Sequence, residues 1–199
     1  MTSWFNPLPP LPMNPLPDHN FQPLIAAHDF TSSKLLSFFD SNDFAEAEFS
    51  VNEFDVFAIF FVTMAFLSNK EPTKDLGVVV EDFHTTIIAD LVQRILSSQD
   101  NEATRNKEEA LAAMIKKIFE ERFRHYFHIF KKSSTTDMQQ IYTSLAEAFL
   151  EKSVQGAFPK ETLSRFTSFL RGLFDEVVVF LEKTESLAGC RPEGAGDIQ

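Results

Sequence analysis

Between Ser50 and Ser68 the chain reads SVNEFDVFAIFFVTMAFLS, and from Val56 to Leu67 every residue except Thr63 is apolar. A helix on a protein surface keeps one polar side; this stretch has none, so other helices must bury it from all directions. Ser50 with Glu53 three residues later is a capping box, in which hydroxyl and carboxylate satisfy free N–H groups at a helix start. The apolar run is about a dozen residues long, whereas a membrane span needs about 20. Lengthening it would pull Glu53 and Asp55 into lipid at one end and Lys70 and Glu71 at the other. The stretch therefore reads as the buried central post of a helical domain, and no membrane span is expected.

Helical periodicity continues on both sides of the post. Before it, Leu35, Leu36, Phe38 and Phe39 form a stripe that Thr31 or Ser32 can cap and that Asp40-Ser41-Asn42-Asp43 ends. After it, Val79, Phe83, Ile87, Leu91 and Ile95 lie four apart in a helix over residues 78–96. The longest pattern covers residues 102–132, with Leu111, Met114, Ile115, Ile118, Phe123, Tyr126, Phe127 and Phe130 as its apolar positions. Thr136 and Gln139 make a second capping box, opening a helix over residues 137–152 with Met138, Ile141, Leu145 and Phe149 on one side. Pro159 starts the last helix, whose Leu163, Phe166, Leu170, Leu173, Val177 and Phe180 alternate three and four apart, as in a coiled-coil seam. That seam packs inside the domain or, as an alternative, joins two copies in a homodimer through Leu163–Phe180.

The expected fold class is all-α: a single domain of five or six helices over residues 24–188, with an extended segment before it and a short tail after it, residues 189–199. Residues 1–23 hold Pro7, Pro9, Pro10, Pro12, Pro15, Pro17 and Pro23, and the unit Asn6-Pro7-Leu8-Pro9 returns as Asn14-Pro15-Leu16-Pro17. A continuous helix is excluded through so many prolines, and a polyproline-like path is expected. The apolar residues of this segment are costly to leave in water, so it lies over its own domain or against a partner.

Composition narrows the function classes. The net charge is −11, and in the first 55 residues Asp18, Asp29, Asp40, Asp43, Glu46, Glu48, Glu53 and Asp55 stand against Lys34 alone. Such a surface repels phosphate backbones, so no nucleic-acid partner is expected; it attracts basic proteins. The 23 Phe against 2 Tyr and 1 Trp supply apolar volume without polar handles, which suits packing or a greasy cavity. Cys190 is the only cysteine, so neither an internal disulfide nor a cysteine metal cage can form. With no Lys or Arg in the first 33 residues and prolines breaking the start, no secretory leader is read, and a cytoplasmic location is expected.

Chemistry-bearing residues are sparse. His125 and His128, with Glu121 four before His125, have the spacing of metal ligands on one helix, and Glu81 with His84 is the segment that would complete such a site. A di-iron bundle needs two such E-x-x-H pairs and further carboxylates; no metal and no cofactor are expected. Arg122 and His128 resemble the R-x(4–6)-H signature of the HEPN ribonucleases, small all-helical domains in which paired subunits bring Arg and His to an RNA phosphate. The resemblance implies ribonuclease activity carried by those two residues. Phe123 departs from it, standing where that family usually has a polar residue. His28-Asp29 lacks the further His and Asp of an HD phosphohydrolase, and no nucleophile elbow or glycine-rich phosphate loop occurs among the six glycines.

The function expected first is a non-catalytic interaction or regulatory protein: an adaptor, inhibitor or dedicated chaperone. Its partner-binding residues are Trp4, Phe5, Leu8, Leu11 and Leu16 of the Pro-rich segment together with Asp40, Asp43, Glu46 and Glu48. The alternative is a binder of an apolar small molecule or lipid in a Phe-lined cavity between the post, the 78–96 helix and the last helix.

Overall fold

The computed structural model describes residues 21–41, 51–68, 70, 73–97, 108–132, 137–153 and 158–189. It is all-α, with six helices among the described residues: α1 (Gln22–Asp40), α2 (Val51–Ser68), α3 (Lys74–Ser97), α4 (Glu108–Lys132), α5 (Met138–Ser153) and α6 (Lys160–Gly189). No described helix is long and apolar enough to cross a membrane.

Local chemistry sets several of the helix starts. α1 begins with Pro23 in its first turn, where a missing N–H costs no hydrogen bond, and so starts nine residues before Thr31. Thr31 is not a cap. It lies inside the helix, fully buried, and its hydroxyl donates back to the Ala27 carbonyl at 2.7 Å. The Thr73 hydroxyl accepts the Leu76 N–H at 3.2 Å and caps α3. α5 is capped by Asp137, whose Oδ1 accepts the Gln139 N–H at 3.0 Å, a carboxylate doing what the Thr136 hydroxyl was expected to do. Both Thr136 and Ser50, partners in the two expected capping boxes, lie outside the described residues.

Side-chain pairs fix the directions. Phe30 stacks on Phe180 and Phe38 on Phe169, so α1 runs antiparallel to α6. Thr63 meets His84 while Asp55 faces Arg94, which sets α3 antiparallel to α2. Glu53 faces Arg122 and Phe60 meets Phe130, so α4 runs parallel to α2. Tyr142 against Phe174 and Phe149 against Phe166 set α5 antiparallel to α6. The result is an up-and-down bundle with α2 inside it. Every side chain of α2 from Val56 to Phe66 is buried, as expected of a helix with no polar stripe, and so are Glu53 and Asp55 before it.

The post is held by rings. Phe57 lies with its centroid 4.6 Å from that of Phe149 and 5.0 Å from that of Tyr126, and Phe61 meets Phe174 edge-on at 5.5 Å. Each fully buried Phe contributes about 1.5–3 kcal/mol of burial, and ring pairs add about 0.5–1.5 kcal/mol beyond that. At the far end of α2, Lys70 donates to both carboxylate oxygens of Glu185, at 2.7 and 2.9 Å, and rests over Phe66. A smaller apolar cluster of Leu91, Val92 and Ile115 joins the end of α3 to the start of α4.

Two expected stripes divide differently. In α4 the buried positions are Ile115, Phe119, Phe123 and Tyr126, whereas Met114, Ile118 and Phe127 are 53%, 38% and 38% exposed. In α5, Met138 is 48% exposed while Ile141, Leu145 and Phe149 are buried. The seam of α6 is used within the domain: Phe166, Leu170, Leu173 and Val177 all belong to the main core.

Candidate functional site

The buried polar groups gather at the N-terminal half of the post. Glu53 and Asp55 are both more than nine-tenths buried. Two residues apart on a helix, they point about 200° from each other and meet different helices.

Glu53 turns to α4. The Tyr126 hydroxyl, on a residue with no exposed surface, donates to Oε1, and the Arg122 guanidinium sits 3.4 Å from Oε2. Burial, the Glu53 charge and this hydrogen bond together hold the Tyr126 hydroxyl well above the usual tyrosine range. Arg122 is partly exposed, with His125 beside it; burial, Lys152 and Arg122 lower the His125 pKa.

Asp55 turns to α1 and α3. Its Oδ1 is 3.9 Å from His28 Nε2, and its Oδ2 is 3.7 Å from Arg94 Nη2, both beyond hydrogen-bond reach. Arg94 is held elsewhere, its Nε 2.9 Å from Asp90. His28 is 4% exposed, and its Nδ1 lies 3.4 Å from the exposed Asp29. His28 Nε2 and Asp55 Oδ2 are buried without hydrogen-bond partners. Burial lowers the His28 pKa and raises that of Asp55, with the neighbouring charges opposing both shifts in part. Asp55 also lines a narrow crevice of about 20 Å³ whose walls are aliphatic and aromatic side chains of α2, α3 and α4.

Further along the post, Thr63 shares a 2.9 Å hydrogen bond with His84 Nε2. The ring of His84 is set edge-on to Phe119 and Phe123, and burial pushes its pKa down to about 3. His84 is thus neutral, with its Nε2 bonded to Thr63, while Glu81, its expected companion ligand, is exposed. His125, His128 and Glu121 lie exposed on α4, and no group of three His, Cys, Asp or Glu placed to hold a metal occurs among the described residues. Of the HEPN-like pair, Arg122 faces Glu53, and His128, six residues on and so about 120° away around the helix, is exposed.

Of the expected partner-binding residues, Asp40 is exposed at the end of α1. Trp4, Phe5, Leu8, Leu11, Leu16, Asp43, Glu46 and Glu48 lie outside the described residues. Asp40 borders a shallow hollow of about 560 Å³ with Ser33, Leu36, Ser37 and Ser41, in which Leu36 is 52% exposed. Sequence reasoning missed the burial of His28, Glu53 and Asp55. One local signal was present: Tyr126 is a hydroxyl in a stripe otherwise filled by Phe and Ile, and a buried hydroxyl needs a partner. Comparison with protein-family models, with characterised proteins and with solved structures finds none that matches this chain.

Proposed function

We propose that this chain is a non-catalytic interaction or regulatory protein that takes a basic polypeptide partner on the outer side of α1. The observation that carries the reading is the hollow around Leu36, where an aliphatic side chain stands half in water between serines and the carboxylate of Asp40. The adjoining sequence adds Asp43, Glu46 and Glu48. Covering Leu36 contributes about 1 kcal/mol, while the acidic surroundings favour encounter with a cationic partner and reject anionic ones. Against an apolar ligand between the post and the last helix stands the edge-on packing of Phe61 on Phe174.

Native mass spectrometry of the protein, purified gently at low salt from its own source, tests the reading. The expected result is the mass of the chain plus a second, basic polypeptide, lost on substituting Leu36→Ser together with Asp40→Lys. A bare chain, or a complex indifferent to that double substitution, rejects it.

A further inference from the structure

The Asp55 cluster plays no part in the α1 surface and points to a ligand of its own. Asp29 accepts hydrogen bonds only, so a neutral His28 that donates from Nδ1 to Asp29 presents a lone pair at Nε2. That lone pair faces Asp55 Oδ1 across 3.9 Å, acceptor against acceptor. Arg94 shares its charge between Asp90, 2.9 Å from its Nε, and Asp55, whose Oδ2 its Nη2 faces at 3.7 Å without closing a hydrogen bond. With His28 neutral, the cluster sets the carboxylates of Asp29, Asp55 and Asp90 against the single guanidinium of Arg94. A buried charge this short of partners is costly, and the group that relieves it must be compact, cationic and rich in donors. A primary ammonium carries three donors and no acceptor.

The crevice shows what would be attached to that ammonium. It runs from Asp55 between Ile59, Ile88, Leu91 and Ile115 to the partly exposed Ile118. Met114, one turn before Ile118 on α4, continues the apolar path and is 53% exposed. As it stands the crevice holds about one water, so a longer group enters by parting Ile118 and Met114 at its mouth. We infer that Asp55, at the inner end of this crevice, is a binding site for a primary alkylammonium group whose methylene chain lies along Ile115, Ile118 and Met114. The ammonium donates to Asp55, and Arg94 keeps its contact with Asp90. Burial raises the pKa of Asp55, and the nearby Arg94 charge offsets this only in part. A free amine and a lysine side chain of a polypeptide offer this same chemistry.

Methyl NMR of the full chain tests the site, with n-butylammonium and n-butanol as probes. Butylammonium is expected to shift the Ile59, Ile88, Ile115 and Ile118 methyl signals with a Kd of about 1 mM, and butanol to bind about tenfold more weakly or not at all. Asp55→Asn should weaken butylammonium by about tenfold or more. Ile118→Trp, at the partly exposed mouth, should abolish binding by filling the entrance. Nα-acetyl-lysine amide distinguishes the sources: binding comparable to butylammonium assigns the site to a lysine side chain, and its exclusion assigns the site to a free amine. Equal shifts from both four-carbon probes, no shifts from either, or an Asp55→Asn protein that binds like its parent overturns the inference. None of these results bears on the α1 surface, which shares no residue with the crevice.

Discussion

Glu53 and Asp55 are the same chemistry two residues apart on one helix, and the fold treats them oppositely. Glu53 has a donor on one oxygen and a guanidinium facing the other. Asp55 has an imidazole and a guanidinium nearby but a hydrogen bond from neither. The difference comes from what the neighbouring helices can deliver. α4 runs parallel to α2 and brings Tyr126 and Arg122, four residues apart, to one carboxylate. α1 offers a ring already turned to Asp29, and α3 offers an arginine already held by Asp90. The satisfied carboxylate fastens two helices together; the unsatisfied one is an interior charge kept at a cost.

Removing the donor from the first carboxylate should have the largest effect. Tyr126→Phe keeps the ring against Phe57 and Phe60 and deletes only the hydroxyl, leaving Glu53 Oε1 buried without its partner. A loss of about 3 kcal/mol is expected in urea unfolding, since stripping a buried charge of its donor costs more than a neutral hydrogen bond is worth. A loss under about 0.5 kcal/mol would mean that Glu53 is solvated after all, and the contrast with Asp55 would collapse.

The opposite sign is expected at the second carboxylate. Asp55→Asn removes a buried charge whose Oδ2 has no hydrogen bond to lose, so stability near neutral pH should rise by about 1 kcal/mol. Clear destabilisation in the same urea series would show that the contacts with Arg94 and His28 act as true ion pairs despite their length.

Much of the fold could be read from residue spacing, whereas the polar interior could not. The post was evident because Val56–Leu67 leaves no side for water. Glu53 and Asp55 looked like end markers for the same reason that acids commonly stand at helix starts, where the dipole favours them. Their burial depends on Tyr126, 73 residues away, and on His28 and Arg94 from two other helices, and no window of sequence carries that information. Three- and four-residue steps in α4 admit more apolar positions than one side can bury, so the stripe read from spacing includes the exposed Ile118 and omits the buried Phe119. In α5 the capping box drew attention to Thr136, while the carboxylate of the next residue, Asp137, caps the helix.

Acid sharpens the comparison through groups that titrate in opposite senses. His84 has its pKa pushed down to about 3, and that of His28 is also lowered, so both stay neutral in the fold where the unfolded chain protonates near pH 6.5. Their contribution is intact above that pH and is lost as pH falls toward the folded pKa, by up to about 1.4 kcal/mol per pH unit for each ring. Asp55, raised above 3.8, opposes this: the fold takes up its proton before the unfolded chain does, so acidification relieves the cost of its buried charge. Asp55→Asn should therefore steepen the acid loss of stability in the window just above pH 3.8, as followed by circular dichroism. Parallel pH profiles for the two proteins would show that Asp55 carries no such burden.

The smallest effect is expected where a pair is well made but wet. Lys34 on α1 and Glu176 on α6 approach to 2.8 Å, closer than anything Asp55 meets, yet their side chains are 44% and 53% exposed. Water screens the attraction, and ordering two long side chains offsets most of what remains. Lys34→Met, which keeps the stem near Phe30, should change stability by less than about 1 kcal/mol, and the change should shrink further in salt. Geometry alone would rank this pair above the Asp55 contacts; burial reverses the order, because an unmet charge inside the bundle has no solvent to fall back on. A loss here as large as that of Tyr126→Phe would make distance, and not burial, the quantity that separates the two carboxylates of the post.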